Sequence, residues 1–550
     1  MLRLSILSLF LLIMSCKKDK KEMIQQVITV DYLKKNDSIS QHEQWFNKDI
    51  IDDSIAGASF DKLVNESNNS NNETEVVIAV IDSELNIDNQ LFNNRIWINK
   101  NEINNNNIDD DGNGYVDDIN GWNFLGSTIK DSLSASNHEA VRIVRKYKAE
   151  FIGSDSIAKR NEMPNEYDKY NRARNELEIK LNEAEENYQY FIGFRERYLS
   201  LTDTLGTILN TKNITLKALD SLNKSSEDSI LIKKINSMKY CIENNIDKPW
   251  LDDVILYHKL NKNKVYNLDY YNDRLTKDDP FNINDNSYGN NNIEGTHKID
   301  HATEVSSLIL SIFNDKIAHN IKVMPIVVST RGSEYDKDIA LAIRYAVNNG
   351  AKVINMSIGK DFSLNEDWIS EAIEYAESKD VLIVSAAGNE SLNLDNSEVY
   401  YYPNDMNSSK EEIVNNFLVV GSSNNTKNLV SEFSNYGKEV VDIFAPGEEI
   451  KVLTRNESIN DSGTSLSTAI VSNLAGLILL KFDNLSSAEV KNIIMESGVS
   501  YDFIVNLPVP YGKEATKAPF SSLSKSGKIV NAYNALLMAE EISKKKKKNK

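Results

Sequence analysis

VVIAVID, residues 76–82, is a continuous run of apolar and mostly β-branched side chains closed by an aspartate. A strand apolar at every position is buried on both faces, the habit of a parallel sheet covered by helices. Comparable runs follow at IKVMPIVV (321–328), AKVINMSIG (351–359), VLIVSAAGN (381–389) and FLVVGSS (417–423). Between them, DKDIALAIRYAVNNG (336–350) puts Ile339, Ile343, Ala346 and Val347 on one helical face and stops at Gly350. Ser363 to Glu366 predicts a capping box for a helix through Ile369, Ile373 and Ala376. Strand alternating with helix predicts an α/β fold, a doubly wound parallel sheet with helices on both faces. Its chemistry belongs at the carboxyl ends of the strands.

The chain has 550 residues, 41% hydrophobic and 26% charged, an ordinary globular balance that excludes a fibrous or wholly disordered protein. Its net charge of −19 makes it a poor partner for phosphate backbones, and no nucleic acid is expected. The Lys-rich end, 541–550, reads as a solvated tail.

MLRLSILSLFLLIMSC, residues 1–16, reads as an export signal with Arg3 as its charged start and Leu4 to Ile13 as its apolar core. That stretch is too short to span a bilayer. Cys16 after Ile13-Met14-Ser15 resembles a bacterial lipobox cysteine, which implies a lipid anchor and a place in the cell envelope, facing periplasm or cell surface. A simply cleaved signal is the competing reading. Residues 17–44 form a polar tether, and 45–124 and 291–540 are the two parts of one domain. The residues between Cys16 and Val76 are mostly polar. Cys241 is read as a small buried residue.

From 125 to 290 the alternation stops. Tyr170, Ala173, Leu177, Leu181, Ala184, Tyr188 and Phe191 recur at threes and fours, predicting an amphipathic helix in an inserted, mainly α-helical arm. The arm is either a decoration packed on the core or a lid or docking element. Its effect on oligomeric state is open.

Three segments carry chemistry. Asp82 ends a buried strand, His301 opens a helix whose Val305, Leu308 and Ile312 share a face, and Ser465 starts a helix apolar on nearly every side. A serine hydroxyl needs a base to take its proton, and that imidazole needs a buried carboxylate to hold its tautomer. At a helix start, the Ser465 N–H is free to face a developing oxyanion, and the Asn389 amide can supply a second donor. No catalytic metal set is evident.

These blocks resemble the subtilisin-like serine proteases, in a lipoprotein branch with a long insertion between the aspartate and histidine blocks. VIAVIDSELN matches the aspartate block, HATEVSSLI the histidine block, AGN (387–389) the oxyanion asparagine and GTSLSTA the nucleophile block. The resemblance implies Asp82 as orienting carboxylate, His301 as base, Ser465 as nucleophile and Asn389 as oxyanion donor. It implies an acyl-enzyme and a polypeptide substrate, paired along Ser357, Ile358 and Gly359. Tyr402-Pro403 resembles a family Tyr-Pro, often cis, beside the primary specificity pocket, and Tyr401 is expected to crowd that pocket. A GTH string at 295–297 imitates part of the histidine block but lacks the following apolar face. Three departures stand out: Glu84 where glycine is usual, Ala302 and Glu304 after the base, and Ala469 for a proline. Acids beside the base favour imidazolium. The alternative is therefore a weak or inactive fold-mate that binds peptides or an envelope partner.

NIDDDGNGYVDDINGW supplies a second motif. Asp109, Asp111, Asn113, the Tyr115 carbonyl and Asp117 follow calcium-loop spacing, with Asn120 where a bidentate glutamate is usual. A structural calcium is expected there, against an acidic solvated turn.

Overall fold

The computed structural model describes residues 44–64, 75–87, 89–127, 135–152, 156–271, 274–294, 300–312, 319–407, 409–510 and 512–549, with 23 and 27–29 ahead of them. The export signal, Cys16, most of the tether and the GTH string lie outside the described residues.

Buried apolar strands build one nine-stranded sheet. It comprises β1 (Val76–Asp82), β2 (Trp122–Asn123), β3 (Ile321–Val327), β4 (Val353–Met356), β5 (Leu382–Ala386), β6 (Phe417–Ser423), β7 (Ile443–Pro446), β10 (Val499–Ser500) and β13 (Lys528–Ile529). The order is β10-β13-β7-β6-β5-β4-β1-β3-β2, parallel throughout except at β10–β13. β8 (Ile450–Leu453) pairs with β9 (Ser458–Asp461), and β11 (Ile504–Asn506) with β12 (Lys517–Pro519), as separate antiparallel hairpins. β1 runs between β3 and β4, so the strand order reverses around it. That reversal leaves a crevice at the carboxyl end of β1, where Asp82 stands.

Helices cover both faces. α1 (Phe60–Val64) precedes the sheet; α2 (Glu139–Phe151) to α7 (Lys248–Leu260) belong to the insertion. After it come α8 (His301–Ser311), α9 (Asp336–Asn348), α10 (Glu366–Ser378), α11 (Thr464–Lys481), α12 (Ser487–Ser497) and α13 (Ala532–Asn549). One core cluster joins α8, α11 and α12 to one face of the sheet; the other joins α9 and α10 to the opposite face. α11 is long and apolar enough to cross a bilayer by composition, yet 89% of it is buried inside the fold. A helix apolar all round needs such a setting.

The structure departs from the sequence reading in two local places. α10 starts at Glu366 with Asn365 at its N-cap, without a Ser363 capping box. The buried Asp336 carboxylate accepts from Leu364 and Asn365 N–H at 2.8 and 2.7 Å and takes over that role. The Lys-rich end continues α13 to Asn549, with Lys546 paired to Glu489 at 2.6 Å.

The arm is built on α4, Pro164–Leu209. Its first turns bury Tyr170, Ala173 and Leu177 against α2 and against Phe362 and Leu364 of the main domain. Its far end forms a small core with Leu205, Leu219, Ile235, Met238 and Cys241. α3 (Ser156–Glu162), α5 (Leu216–Ser225) and α6 (Ser229–Glu243) complete the arm. Return contacts are polar and buried. Arg274 binds Asp278 and Asp338, and Lys337, fully buried, pairs with Asp278 at 2.7 Å.

Candidate active site

Asp82, 1% exposed at the side chain, faces the first residue of α8 across a sequence gap of 219 residues. His301 Nδ1 lies 2.8 Å from Asp82 Oδ1 and 2.9 Å from Oδ2. The Ser83 N–H donates to Asp82 Oδ1 at 2.6 Å, and the Ser83 hydroxyl accepts from the Ala302 N–H at 3.2 Å, tying the strand end to the helix start. A carboxylate held this way fixes Nδ1 as the protonated ring nitrogen and turns Nε2 outward. Burial, the largest influence on this imidazole, pulls its pKa down; the Asp82 charge and hydrogen bond, with Glu304 and Asp461 adding, push it up to about 9.

The acids flagged in the sequence part company here. Glu84 is buried and accepts from the Ser127 hydroxyl. Glu304, one turn along α8 from His301, is 8% exposed and hydrogen-bonds Asp461 at the end of β9. Burial first, then Asp461, raises Glu304 to about 7. Asp461 escaped the sequence reading because nothing in it signals that the β8–β9 hairpin folds over α8.

Ser465 is the second residue of α11, 9% exposed, with Gly463 at the N-cap. Its hydroxyl is 3.5 Å from the Ser357 carbonyl, while the Ser357 hydroxyl donates to the Ser465 carbonyl at 3.1 Å. Among the described residues no hydrogen bond joins Ser465 to His301; such links commonly tighten only with substrate bound. Asn389, exposed after β5, accepts through Oδ1 from the Thr464 N–H and hydroxyl, both at 2.9 Å. This leaves Nδ2 as the donor end. A Cβ built on Gly463 would lie 3.8 Å from both Asn389 Nδ2 and the Ser465 nitrogen. Two nitrogens, the Asn389 amide and the Ser465 N–H, thus lie around Gly463 at the start of α11, a placement that could serve a tetrahedral oxyanion. Thr464 is an addition to the sequence-predicted set: by orienting the Asn389 amide it decides which end faces the site.

The segments leaving β4 and β5 flank Ser465. Ser357, Ile358 and Gly359 extend from one, and Ala387, Gly388 and Asn389 from the other. Tyr401 packs against both glycines, and the Tyr402–Pro403 peptide is cis. Tyr402 and Lys360 exchange backbone hydrogen bonds of 2.9 Å in both directions.

In the acidic loop, two of the residues named by spacing, Asp109 and Asp111, gather with a third carboxylate. Glu102, Asp109 and Asp111 bring carboxylate oxygens within 4.8 Å of one another. Asp117 is turned away and accepts from the N–H groups of Asn106 and Asn107. Asn113 donates to Asp111 and Asp118, and Asn120 to the Trp97 carbonyl. The Tyr115 ring packs edge-on against Trp122 and Tyr345. Glu102 precedes the motif and carries no spacing signal, so the sequence reading missed it.

A family model described as the subtilase family matches residues 73–519. The chain is similar to thermitase of Thermoactinomyces vulgaris, 32% identical over 196 residues, which are 36% of this chain and 64% of that one. It is similar to a thermophilic serine proteinase of Bacillus sp. (strain AK1), 34% identical over 185 residues, 32% of this chain and 42% of the relative. It also resembles a cell wall-associated protease of Bacillus subtilis (strain 168), 32% identical over 184 residues, 33% of this chain and 19% of the relative. The chain spans less than two thirds of the length of each of these relatives.

Proposed function

The chain belongs to the subtilase family, and on that premise we propose that it is a serine endopeptidase acting on polypeptides. The observation that carries the reading is the buried Asp82 carboxylate bonded to His301 Nδ1 at the carboxyl end of β1. His301 takes the Ser465 proton on Nε2 as Oγ bonds to the peptide carbonyl carbon. The Asn389 amide and the Ser465 N–H receive the carbonyl oxygen as it gains charge. The C–N bond then breaks, the imidazolium gives its proton to the leaving amine, and water hydrolyses the acyl-enzyme by the reverse proton route.

Two further parts of the proposal rest on other residues. Lipidation at Cys16 would tether the domain to a membrane of the bacterial cell envelope, supported by the signal-like stretch before it. Glu102, Asp109 and Asp111 would hold a structural calcium; three carboxylates around one point suit a hard, oxygen-seeking cation. Calcium there supplies charge neutralisation that braces the loop.

The test is labelling by a serine-directed fluorophosphonate on residues 17–550, beside Ser465→Ala. Labelling lost in the variant supports the reading. Absent labelling in folded protein would overturn it in favour of a binding role.

A further inference from the structure

We propose that Tyr401 plugs the pocket for the side chain of the residue whose carbonyl is attacked, limiting that residue to Gly, Ala or Ser, and that the helical insertion holds the plug in place. The inference rests on the endopeptidase reading above.

The attacked carbonyl must lie between Ser465 Oγ and the two oxyanion donors. Its own side chain then enters the crevice between the chain segments leaving β4 and β5, because Ser357 on one side and Asn389 on the other both border the nucleophile. Both walls are glycine where the crevice narrows, at Gly359 and Gly388. Two side-chain-free walls would normally leave a slot wide enough for a large side chain. Here the slot is taken. A Cβ on Gly359 would overlap the Tyr401 hydroxyl and Cζ, and one on Gly388 would lie 2.6 Å from that same Cζ. One aromatic ring therefore spans the gap, in contact with both backbones. Hydrogen or a methyl group fits beside it; a phenyl or butyl chain must displace it, and forced overpacking is costly.

The plug is fixed on both sides in sequence. Tyr402 is paired in both directions with Lys360, the residue that follows Gly359. Asn404 donates to the Tyr401 carbonyl at 2.6 Å. On the other side, Arg172 of α4 lies with its guanidinium carbon 3.7 Å from the Tyr400 ring centroid and 5.4 Å from that of Phe362. Lys169 of the same helix reaches Glu366 at 4.0 Å. The arm thus clamps the segment that carries Tyr401, and Arg172 acts as a positioning residue. Glu390 stands beside the plug, its Oε2 2.6 Å from the same Cβ position on Gly388. With the ring removed, that carboxyl borders the pocket.

The experiment measures kcat/KM on a peptide series varied only at the residue before the scissile bond. The wild type is expected to prefer Ala over Phe, Leu and Lys by about 100-fold, the range set by shape exclusion in a rigid pocket. Tyr401→Gly should raise the Phe/Ala and Lys/Ala ratios by at least about 10-fold, with Lys gaining most from the Glu390 carboxyl. Arg172→Ala should move the same ratios upward about 3-fold, the scale of one cation–π contact, which general destabilisation would not do. Equal cleavage after Phe and Ala by the wild type overturns the plug; ratios unmoved in Arg172→Ala overturn the arm's part. If fluorophosphonate labelling fails, the endopeptidase reading falls separately. The pocket is then read by fluorescence titration with acetylated peptides ending in Ala or Phe. Weaker binding of the Phe peptide, relieved in Tyr401→Gly, supports the plug, and equal binding overturns it.

Discussion

Glu304 hydrogen-bonds Asp461 one helical turn from His301, so the base shares its surroundings with a carboxyl pair. Glu304 is raised to about 7 and His301 to about 9. The sign follows from these values. Above about 7 the Glu304 proton leaves, and the added negative charge holds the proton on the imidazole. On the proposed mechanism His301 acts as a base only when neutral, the minority form at pH 7. Fluorophosphonate labelling should therefore climb from pH 7 to 10 with a midpoint near 9. Glu304→Gln should bring that midpoint down by roughly 0.5–1 pH unit and speed labelling at pH 7. A wild-type midpoint at or below 7 would count against this account.

On the proposed mechanism the two ends of Asn389 have separate duties, and one substitution tells them apart. Asn389→Asp keeps an oxygen for the Thr464 N–H and hydroxyl but loses the amide donor. The expected result is a fall in kcat of about 10²–10³, the usual effect of removing one oxyanion donor. KM and melting temperature should stay close to wild type. A melting temperature that fell together with activity would instead make Asn389 a brace for the start of α11.

The sheet was legible because VVIAVID, VINM and LIVSA are short, nearly all apolar and rich in β-branched residues, broken within by only Asn355 and Ser385, the pattern of a doubly covered strand. Asp82, His301 and Ser465 were legible because each sits where a strand ends or a helix begins, with recognisable neighbours on both sides. Asp461 and Glu102 were not. Each acts through a fold contact between segments with no common periodicity: a hairpin laid over α8, and a turn folded onto an acidic loop. Ser363 failed as a cap for a related reason. Local spacing favoured it, but the buried Asp336 supplied a stronger acceptor from another helix.

Glu102 also makes the calcium proposal testable without reference to activity. Its carboxylate accepts from the N–H groups of Asp110, Asp111 and Asp117, so it organises the loop as well as facing Asp109 and Asp111. Calcium at about 100 times its Kd should stabilise the fold by about 2.7 kcal/mol. Chelation should then lower the melting temperature by about 2–3 °C. Asp109→Asn should shrink that difference, since it removes a ligand charge while its one oxygen still accepts from Gly112 and Asn113, and only the Gly114 bond to the other oxygen is lost. Identical melting with calcium and with chelator would remove the metal from this loop.

Lys360 joins the insertion to the segment leaving β4, and its charge is the means. The side chain, 2% exposed, lies 2.6 Å from Asp336 and 3.7 Å from Glu139 of α2, and donates to the Glu334 carbonyl at 2.8 Å. Burial pulls this ammonium's pKa down, but Asp336 and Glu139 outweigh it and hold the group charged. Lys360→Met keeps the length and removes the charge, leaving two buried carboxylates with Arg142 and backbone N–H groups among their remaining counterparts. Breaking such a pair costs about 3–5 kcal/mol, and the remaining partners place this case near the lower figure. Urea unfolding at neutral pH should register that loss, and adding Asp336→Asn to Lys360→Met should recover part of it, because the orphaned charge goes too. A Lys360→Met chain within 0.5 kcal/mol of wild type, the ordinary range for surface changes, would mean that the arm is held by packing of Phe362 and Leu364 against α2 and α4 rather than by this buried charge.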